Sequence, residues 1–368
     1  MRRVIGHLDL DYFYAQVEEV ENPSIRDRPV VVCVYSGRTE DSGAVATANY
    51  KARSMGVKSG VPISLAKRKL DGSDAVFIKM EHEKYEKVSE NVMELVRERV
   101  DVLEPTGIDE AFFDITDASG GDFIRARGLG EGIKEAVLKE TSLTCSIGLG
   151  RSKVVAKLAS DAMKPNGLTI IPPESTSSFL DPLRVERLYG VGPKATAALR
   201  QLGILTVLQL SRTDPSALEA ALGRNLSSYL LAASTGSDLQ PVQAGRAPTQ
   251  FGRMVTLKQD TRRPDEILGQ LEAGIESVAK KLSDSKSSFR TLTAMGVLTD
   301  LSIMTKNKTF SSPMIADGSK IRESFQILLA DLCNASAKDL RRAGVRVSGL
   351  ATVEAQSNLF EFEQETRG

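Results

Sequence analysis

The 368-residue chain contains no tryptophan, only two histidines and only three cysteines. The histidines, His7 and His82, are too few for a zinc or catalytic site built on histidine, so any chemistry is expected to depend on carboxylates. The cysteines, Cys33, Cys145 and Cys333, are odd in number, far apart and not in the spacing of metal ligands. They predict buried free thiols in a cytoplasmic protein.

Long hydrophobic runs are also missing. No apolar stretch approaches the roughly 20 residues of a membrane span, and the N-terminus lacks the apolar region of a signal peptide, so no membrane association is expected. The composition, 41% hydrophobic and 26% charged, is that of an ordinary globular protein. A chain of this length exceeds the usual size of one hydrophobic core and predicts about two to four domains.

The net charge is zero, which argues against a uniformly basic nucleic-acid binder. The charge is unevenly distributed, however. Residues 246–349 hold 17 Lys and Arg against 11 Asp and Glu, whereas residues 350–368 hold one Arg against four Glu. A basic C-terminal module fits an electrostatic grip on phosphates, but ordinary solvated surface charge fits equally well.

The first half of the chain alternates between strand-like and helix-like patterns, which predicts an α+β domain. Strands are expected at 2–9, 28–36, 100–116 and 143–150. Helices are expected at 11–21, in the later part of 43–57, and at 81–99, 122–139 and 152–164. From about residue 184 the pattern becomes helical, and 187–210 predicts a helix, a Gly-Val-Gly turn and a second helix. Residues 234–248 predict an interdomain linker. A separate α/β unit follows, with strands near 251–258, 289–299 and 344–352 and helices near 264–283 and 318–333.

Two acidic clusters share the form of an apolar strand, then acids, then aromatic residues. Asp9 and Asp11 end the first predicted strand, and Asp109 and Glu110 begin a later one. If these strands are neighbours, three carboxylates converge, and such crowding is tolerable with a divalent cation. Oxygen ligands without His or Cys favour Mg²⁺ or Mn²⁺, and two ions about 4 Å apart suit phosphoryl transfer. Alternatively, each acid caps a turn or pairs with a lysine.

Four motifs then occur in a recognisable order: DLDYFYA, SGAVATANYKAR, GIDEAFFD and AMKPNG. In order and spacing they resemble the Y family of DNA polymerases, and in particular its archaeal members, through about residue 350. The resemblance implies a multidomain α+β, right-hand polymerase. It comprises a palm with a mixed or antiparallel sheet plus helices (1–10 and 77–170), small fingers (11–76), a helical thumb with a helix-hairpin-helix (171–235), a linker (236–246), an α/β little finger (247–349) and a flexible tail (350–368).

The same resemblance implies low-fidelity, translesion DNA synthesis by a monomeric enzyme. The primer 3′-hydroxyl attacks the α-phosphate of a dNTP and pyrophosphate leaves. Two Mg²⁺ ions, replaceable by Mn²⁺, are implied at Asp9, Asp109, Glu110 and the backbone carbonyl of Leu10. Asp11 matches a family Asp that is not a ligand. Gly107 stands where relatives often have Ser, so the hydrogen bond of that hydroxyl is absent.

Contacts to the incoming nucleotide are implied at the residues that match the family motifs. The backbone amides of Tyr12 and Phe13 open a helix, whose N-terminus favours phosphate. Thr47, Tyr50, Arg53 and Lys164 resemble phosphate-contacting side chains, with Tyr50 and Arg53 on one helical face and Thr47 one turn earlier. Tyr14 has the position of the steric gate against a 2′-hydroxyl. Three small residues cover the nascent base pair loosely, which implies lesion bypass: Gly43, Ala44 and Ala46.

Primer–template DNA and a sliding clamp are the implied partners. The helix-hairpin-helix turn presents Gly190, Gly192 and Lys194 to a DNA phosphate, although a lone Gly-x-Gly is also an ordinary interhelical turn. The little finger presents Arg341, Arg342 and Arg346 to the DNA backbone. The tail resembles a clamp-binding peptide whose anchors are Gln356, Leu359, Phe360 and Phe362. Position 363 is Glu where a second aromatic is expected, and a tail without a partner is the alternative.

Two other functions fit parts of the pattern. A palm-like sheet with paired acids also serves a nucleotidyl cyclase, but the helix-hairpin-helix turn and the basic C-terminal module argue against that activity. A non-catalytic DNA-binding protein would leave the converging acids without a purpose.

Overall fold

The computed structural model describes residues 1–245 and 248–352. Two compact units are present, and each has its own hydrophobic core. The first comprises Met1–Val34 with Ala44–Arg246, and the second comprises Tyr35–Gly43 with the described residues from 248 onward. All three cysteines are buried, as predicted. Among the described residues, no helix is long and apolar enough to cross a membrane.

Strands and helices alternate through the first part of the chain. The strands up to residue 170 are β1 (Ile5–Leu10), β2 (Val30–Tyr35), β3 (Gly43–Ala48), β4 (Val76–Lys79), β5 (Val102–Pro105), β6 (Glu110–Asp114), β7 (Cys145–Gly150) and β8 (Leu168–Ile170). The helices up to residue 162 are α1 (Phe13–Glu21), α2 (Tyr50–Ser54), α3 (Ile63–Lys69), α4 (His82–Arg97), α5 (Thr116–Ser119), α6 (Phe123–Thr141) and α7 (Lys153–Ala162).

A mixed five-stranded sheet, in the order β5-β6-β1-β7-β8, is the centre of the first unit. Its first three pairings are antiparallel and β7 pairs with β8 in parallel. The central strand β1 is buried along nearly its whole length, which explains its apolar sequence. Helix α7 packs directly on β7 and β1. This close approach requires Gly148, because a Cβ there would come within 2.1 Å of the Ala156 carbonyl oxygen.

A smaller sheet, in the order β3-β2-β4, carries α2 and α3 beside it. Strand β2 pairs with β4 in parallel, with Val30 opposite Val76. Asn49 connects β3 to α2 and caps that helix. Thr47 therefore lies on strand β3, so the prediction that it sits one helical turn before Tyr50 is wrong; the helix begins only after the Asn49 cap.

Short helices follow: α8 (Thr176–Leu180), α9 (Pro193–Gln201), α10 (Val207–Ser211), α11 (Pro215–Leu222) and α12 (Arg224–Ser234). The helix expected before the Gly-Val-Gly turn is only a single 3-10 turn, Val185–Arg187. Leu188 is already extended and Gly190 has a φ of 87°, so the backbone cannot continue as a helix. The helix after the turn, α9, begins at Pro193, as a proline in the first turn favours.

The predicted linker has no helix or strand through its described residues up to 245, but it is packed against the first unit. Val242 is only 7% exposed and packs with Ile5 and Ala156. The Gln243 backbone N–H donates to Glu104 Oε2 at 2.8 Å. Polar composition predicted the lack of regular structure, but not this packing.

The second unit is a helix-covered antiparallel sheet. Its elements are β9 (Gln250–Thr261), α13 (Pro264–Asp284), β10 (Ser287–Leu298), β11 (Ile303–Met314), α14 (Gly318–Asn334), β12 (Leu340–Ser348) and β13 (Ala351–Thr352). The order is β11-β10-β12-β9, and β13 pairs with β10. The sequence did not predict β11, because this edge strand is mostly exposed and polar. The pairing of β13 also extends the folded unit past residue 349, where the tail was expected to begin.

Candidate active site

The two acidic clusters meet because β1 and β6 are neighbours. Asp9 lies opposite Glu110 in the antiparallel register. The Leu10 backbone N–H donates to the Asp109 carbonyl oxygen at 2.8 Å, which ties the end of β1 to the turn before β6. Asp109 thus precedes the strand and Glu110 begins it, so the adjacent carboxylates are not forced onto opposite sheet faces.

Lysines from α7 and the loop after it hold two of these carboxylates. Lys164 Nζ lies 2.7 Å from Asp9 Oδ2, and Lys157 Nζ lies 2.5 Å from Glu110 Oε2. His7 Nε2 is 3.6 Å from the same Glu110 oxygen. Hydrogen bonding from His7, with Lys157 adding to it, lowers the pKa of Glu110 to about 2.

The two aspartates have the opposite electrostatic bias. Burial raises the pKa of Asp9, although Lys164 opposes the shift. Burial also raises the pKa of Asp109, and the neighbouring Glu110 charge adds to it. Because the site disfavours the negative charges of Asp9 and Asp109, a cation bound beside them would stabilise their ionised forms.

The oxygen-only donor set fits a hard divalent cation. Among the described residues, however, no three acidic, His or Cys side chains already stand in a metal-holding arrangement. Instead, Lys164 and Lys157 pair with Asp9 and Glu110.

A pocket of about 220 Å³ opens beside the carboxylates. Its lining combines acids, aromatic rings and cations: Asp9, Leu10, Asp11, Tyr12, Phe13, Tyr14, Ala46, Thr47, Tyr50, Arg53, Ser59, Asp109 and Lys164. Most of the predicted nucleotide-binding residues therefore surround one space. Gly43, Ala44 and Glu110 do not line it, whereas Ser59, which the sequence did not single out, does.

The three consecutive aromatic residues have different environments. Tyr12 caps the N-terminus of α1 in a left-handed conformation, with a φ of 35°. Phe13 is a core residue, 2% exposed. The ring of Tyr14 lines the pocket and lies 4.6 Å from the buried ring of Tyr85, which fixes its position from behind.

Cationic and hydroxyl groups line the opposite side of this pocket. The Arg53 guanidinium lies 5.0 Å from the centre of the Tyr50 ring. Its Nε donates to the Ala48 carbonyl at 2.7 Å, and Nη2 approaches Thr47 Oγ1 at 3.4 Å. These contacts hold the guanidinium in place beside the pocket that Lys164 also lines.

Asp11, although it lines the pocket, is bound to protein on its other sides. It is 1% exposed and accepts hydrogen bonds of 2.8 Å from Thr144 Oγ1, Ser146 Oγ and the Asn166 backbone N–H. The last bond anchors the loop that carries Lys164. The geometry fits the expectation that Asp11 is not a metal ligand.

Comparisons with known proteins agree with this geometry. Models of the impB/mucB/samB family and of its C-terminal domain match residues 8–161 and 248–359. DNA polymerase IV of Methanosarcina acetivorans is 39% identical over 98% of this chain and 100% of its own length. A solved Y-family DNA polymerase chimera of Dbh and Dpo4 is 33% identical, with a TM-score of 0.89 over 95% of this chain and 99% of its own. The chain belongs to the Y family of DNA polymerases.

This Y-family chain also resembles a solved insertion ternary complex of Dbh DNA polymerase. The identity is 33% and the TM-score is 0.68, over 95% of this chain and 99% of that one. The family membership predicted from four short motifs is therefore confirmed.

A second cavity of the Y-family chain, of about 300 Å³, adjoins Glu110. Sequence reasoning missed two of its lysines: Lys157, and Lys153, which forms a buried ion pair with Glu104. Their spacing of four residues on α7 was the available signal. Gly190 lines this cavity, Gly192 lines a separate groove, and Lys194 lines neither.

In the second unit, the register of β12 separates the three predicted arginines. Ala343, Val345 and Val347 face the core, so Arg342 and Arg346 share the opposite face. Arg341 lies at an irregularity of the pairing and does not join them. The residues aligned with these two arginines across the sheet carry no carboxylate: Thr256, Val297 and Ile303 beside Arg342, and Gly252, Thr293 and Asn307 beside Arg346.

Arg346 has an unpaired polar atom. Its Nε is buried without a hydrogen-bond partner among the described residues. The glycine beside it leaves room for the side chain, because a Cβ at Gly252 would lie 3.2 Å from the Arg346 Cβ. The predicted clamp anchors, Gln356, Leu359, Phe360 and Phe362, lie outside the described residues.

Proposed function

We infer that this protein is a template-directed DNA polymerase that performs translesion synthesis. The single observation that carries this inference is the pocket of about 220 Å³, whose lining brings together Asp9, Asp109, an aromatic wall and four side chains that can contact phosphate: Thr47, Tyr50, Arg53 and Lys164. The primer 3′-hydroxyl attacks the dNTP α-phosphate, and the bond to pyrophosphate breaks.

Asp9, Asp109, Glu110 and the Leu10 carbonyl would hold two Mg²⁺ ions, with Mn²⁺ able to substitute. When bound, these ions supply charge that favours the ionised hydroxyl and the leaving phosphates. The support is the all-oxygen donor set and the raised pKa values of Asp9 and Asp109, which burial causes.

The triphosphate, with about four negative charges, needs donors beyond the metal site. Arg53, Tyr50, Thr47 and Lys164 supply them, together with the backbone amides of Tyr12 and Phe13 at the N-terminus of α1. If Asp9 and Glu110 bind the metal ions, Lys164 would leave Asp9 and turn to phosphate. Lys157 would release Glu110 in the same way. The ion pairs of 2.7 and 2.5 Å support this exchange.

The sugar and base are selected by shape. The Tyr14 ring excludes a 2′-hydroxyl, because Tyr85 behind it leaves no room to retreat. Ala46 covers the base pair with a small side chain, and Gly43 and Ala44 continue that cover outside the pocket lining. Such a cover tests base-pair shape weakly, which suits damaged templates.

The remaining regions hold nucleic acid and partners. The palm, fingers and thumb have the boundaries given from the sequence, the little finger extends at least to Thr352 because of the β13 pairing, and the enzyme acts as a monomer. Gly190, Gly192 and Lys194 grip the DNA backbone from the thumb, and Arg342 and Arg346 from the little finger, with Arg341 beside them. A sliding clamp binds the tail.

One assay separates the three functions that the sequence left open. Primed DNA, undamaged or with an abasic site, is incubated with dNTPs and Mg²⁺, and a parallel sample receives ATP or GTP without DNA. We expect primer extension on both templates and no cyclic nucleotide. A cyclic product without extension would support a cyclase, and DNA binding without either product would support a non-catalytic role.

A further inference from the structure

Asn49 is a buried side chain whose polar atoms are all occupied. It is 3% exposed and caps α2, with its Oδ1 accepting the Ala52 backbone N–H at 3.0 Å. The same oxygen accepts the Val30 backbone N–H at 3.1 Å. Its Nδ2 donates to the Arg28 carbonyl at 2.8 Å and to Glu19 Oε1 at 2.7 Å. Helices α1 and α2, strand β2 and the segment just before β2 thus meet at this side-chain amide.

Glu19 extends this junction to the pocket. It lies on α1, is 4% exposed, and uses its second carboxylate oxygen to accept a hydrogen bond from the Tyr12 hydroxyl at 3.1 Å. Burial raises the pKa of Glu19, while the bonds from Asn49 and Tyr12 oppose that shift. A carboxylate this deeply buried is tolerated because both donors reach it.

The bridge runs from one residue of the nucleotide pocket to the neighbour of another, so it reaches both α1 and α2 beside that pocket. Tyr12 lines it, and the Tyr12 ring meets the Tyr50 ring edge-on at 5.3 Å. Asn49 immediately precedes Tyr50, and its carbonyl accepts the Arg53 backbone N–H at 2.9 Å. Helix α2 spans only Tyr50–Ser54, and so short a helix has no stability of its own. Its position therefore depends on the cap and on contacts around it.

We propose that Glu19 and Asn49 are positioning residues that hold α2, and with it Tyr50 and Arg53, against the triphosphate of the incoming nucleotide. This rests on the proposed function, since it assumes that Tyr50 and Arg53 contact phosphate. The bridge sets the distance between the two sides of the pocket: α1 supplies the Tyr12 and Phe13 amides, and α2 supplies the side chains opposite them. Without it, α2 shifts or frays and the phosphate contacts lengthen.

Three substitutions test the bridge in the full-length enzyme. Glu19→Met keeps the size and removes both hydrogen bonds, and should raise KM for the matched dNTP about tenfold, the effect of one lost hydrogen bond to a charged group. The kcat should change less than about twofold. Glu19→Gln should restore a near-normal KM, because its amide still accepts from Asn49 and donates to the Tyr12 oxygen. Asn49→Asp places a second carboxylate against that of Glu19, and it should raise KM at least as much as Glu19→Met.

The control removes a helix cap elsewhere in the same unit. Asp122 caps α6 by accepting the Ile124 backbone N–H at 2.7 Å, and α6 contributes no residue to the pocket lining. Asp122→Ala should lower the Tm without moving KM. If Glu19→Met does not fold, Tyr12→Phe replaces it, since it removes one of the two bonds at constant shape and should raise KM about threefold.

Arg53→Ala separates failure of this inference from failure of the proposed function. If Arg53→Ala leaves KM unchanged, α2 does not bind the triphosphate and that part of the proposed function is wrong. If Arg53→Ala raises KM and Glu19→Met does not, only the positioning role is wrong. The inference predicts that Glu19→Met raises KM only about threefold in the Arg53→Ala background, instead of about tenfold, since only the Tyr50 contact then remains to be lost. Full additivity would overturn it.

Discussion

The pocket at the end of β1 and the helix-free face of the second-unit sheet are both assigned to phosphates, yet they are built in opposite ways. In the pocket, a cation lies within ion-pair distance of a carboxylate, as Lys164 does of Asp9. On the sheet face, Arg342 and Arg346 have no carboxylate beside them in the register. Under the proposed function, the first arrangement would exchange partners during a reaction, and the second would attract an anion without chemistry.

The difference teaches where selectivity can come from. Side chains in the pocket are held by buried contacts, such as the tilted contact of the Tyr14 ring with the Tyr85 ring, so under the proposed function the shape of the sugar would matter. The arginines of the sheet lie beside hydroxyl, amide, small and aliphatic side chains, and the DNA backbone that they are proposed to contact is shared by all sequences. Pocket variants should change what is inserted, and sheet variants should change only how tightly DNA is held.

Apart from loss of the carboxylates themselves, the largest expected effect comes from changing the Tyr14 ring. Tyr14→Ala opens the pocket below the sugar and should raise ribonucleotide incorporation relative to dNTP by about 100-fold or more, because steric exclusion is lost. Insertion of single rNTPs and dNTPs from the same primer measures it. Unchanged sugar discrimination would remove Tyr14 from the site, and Phe13→Leu, a core change beside it, should leave discrimination unaltered.

The sheet face should produce a smaller, general effect. The double variant Arg342→Ala and Arg346→Ala should weaken DNA binding about tenfold at moderate salt and reduce the dependence of log Kd on log salt by about two, since two phosphate contacts are lost. KM for dNTP at saturating DNA should stay constant. Lys320→Ala, on a helix of the same unit, is the control. A changed base or sugar preference would contradict the division between the two regions.

The tail adds a third, still smaller expectation. Deletion of 355–368 should remove stimulation by a sliding clamp while extension without the clamp changes less than about twofold, because none of the residues assigned to the reaction lies in the deleted segment. Extension rates with and without clamp measure this. Full stimulation of the shortened protein would show that the clamp, if it binds, uses another surface.

The smallest effects concern stability, and they contrast two adjacent acids. Asp109→Asn should raise the Tm in EDTA by a few degrees at pH 7, because the raised pKa of Asp109 makes its charge unfavourable in the fold. This gain should shrink as pH falls through the raised pKa of Asp109 and should vanish below the ordinary pKa of 3.8, where the carboxyl is protonated in both states. Glu110→Gln should lower the Tm at pH 7, since the pKa of Glu110 is about 2 and its charge is stabilising. That loss should disappear as pH falls from 4.5 to 2, and equal shifts for both variants would contradict the account.

How far the sequence predicts the molecule depends on the range of each interaction. The acids at the end of β1 and at the start of β6 could be found because each acidic motif also contains the strand end that positions it. Strand β11 could not, since an exposed edge strand has no apolar alternation to recognise. The Glu19–Asn49 bridge joins residues 30 apart whose separate patterns are those of an ordinary helix and a helix cap. Only the fold makes them one unit.

The central claim is that Asp9, Asp109 and Glu110 form the reaction centre. The most direct test measures primer extension and DNA affinity of Asp109→Ala in the same preparation, with Mg²⁺ and a matched dNTP. The account predicts that extension falls by at least about 1,000-fold, because a ligand of the reacting centre is gone, while the Kd for primer–template changes less than about threefold. Extension within about tenfold of the unaltered enzyme would contradict it.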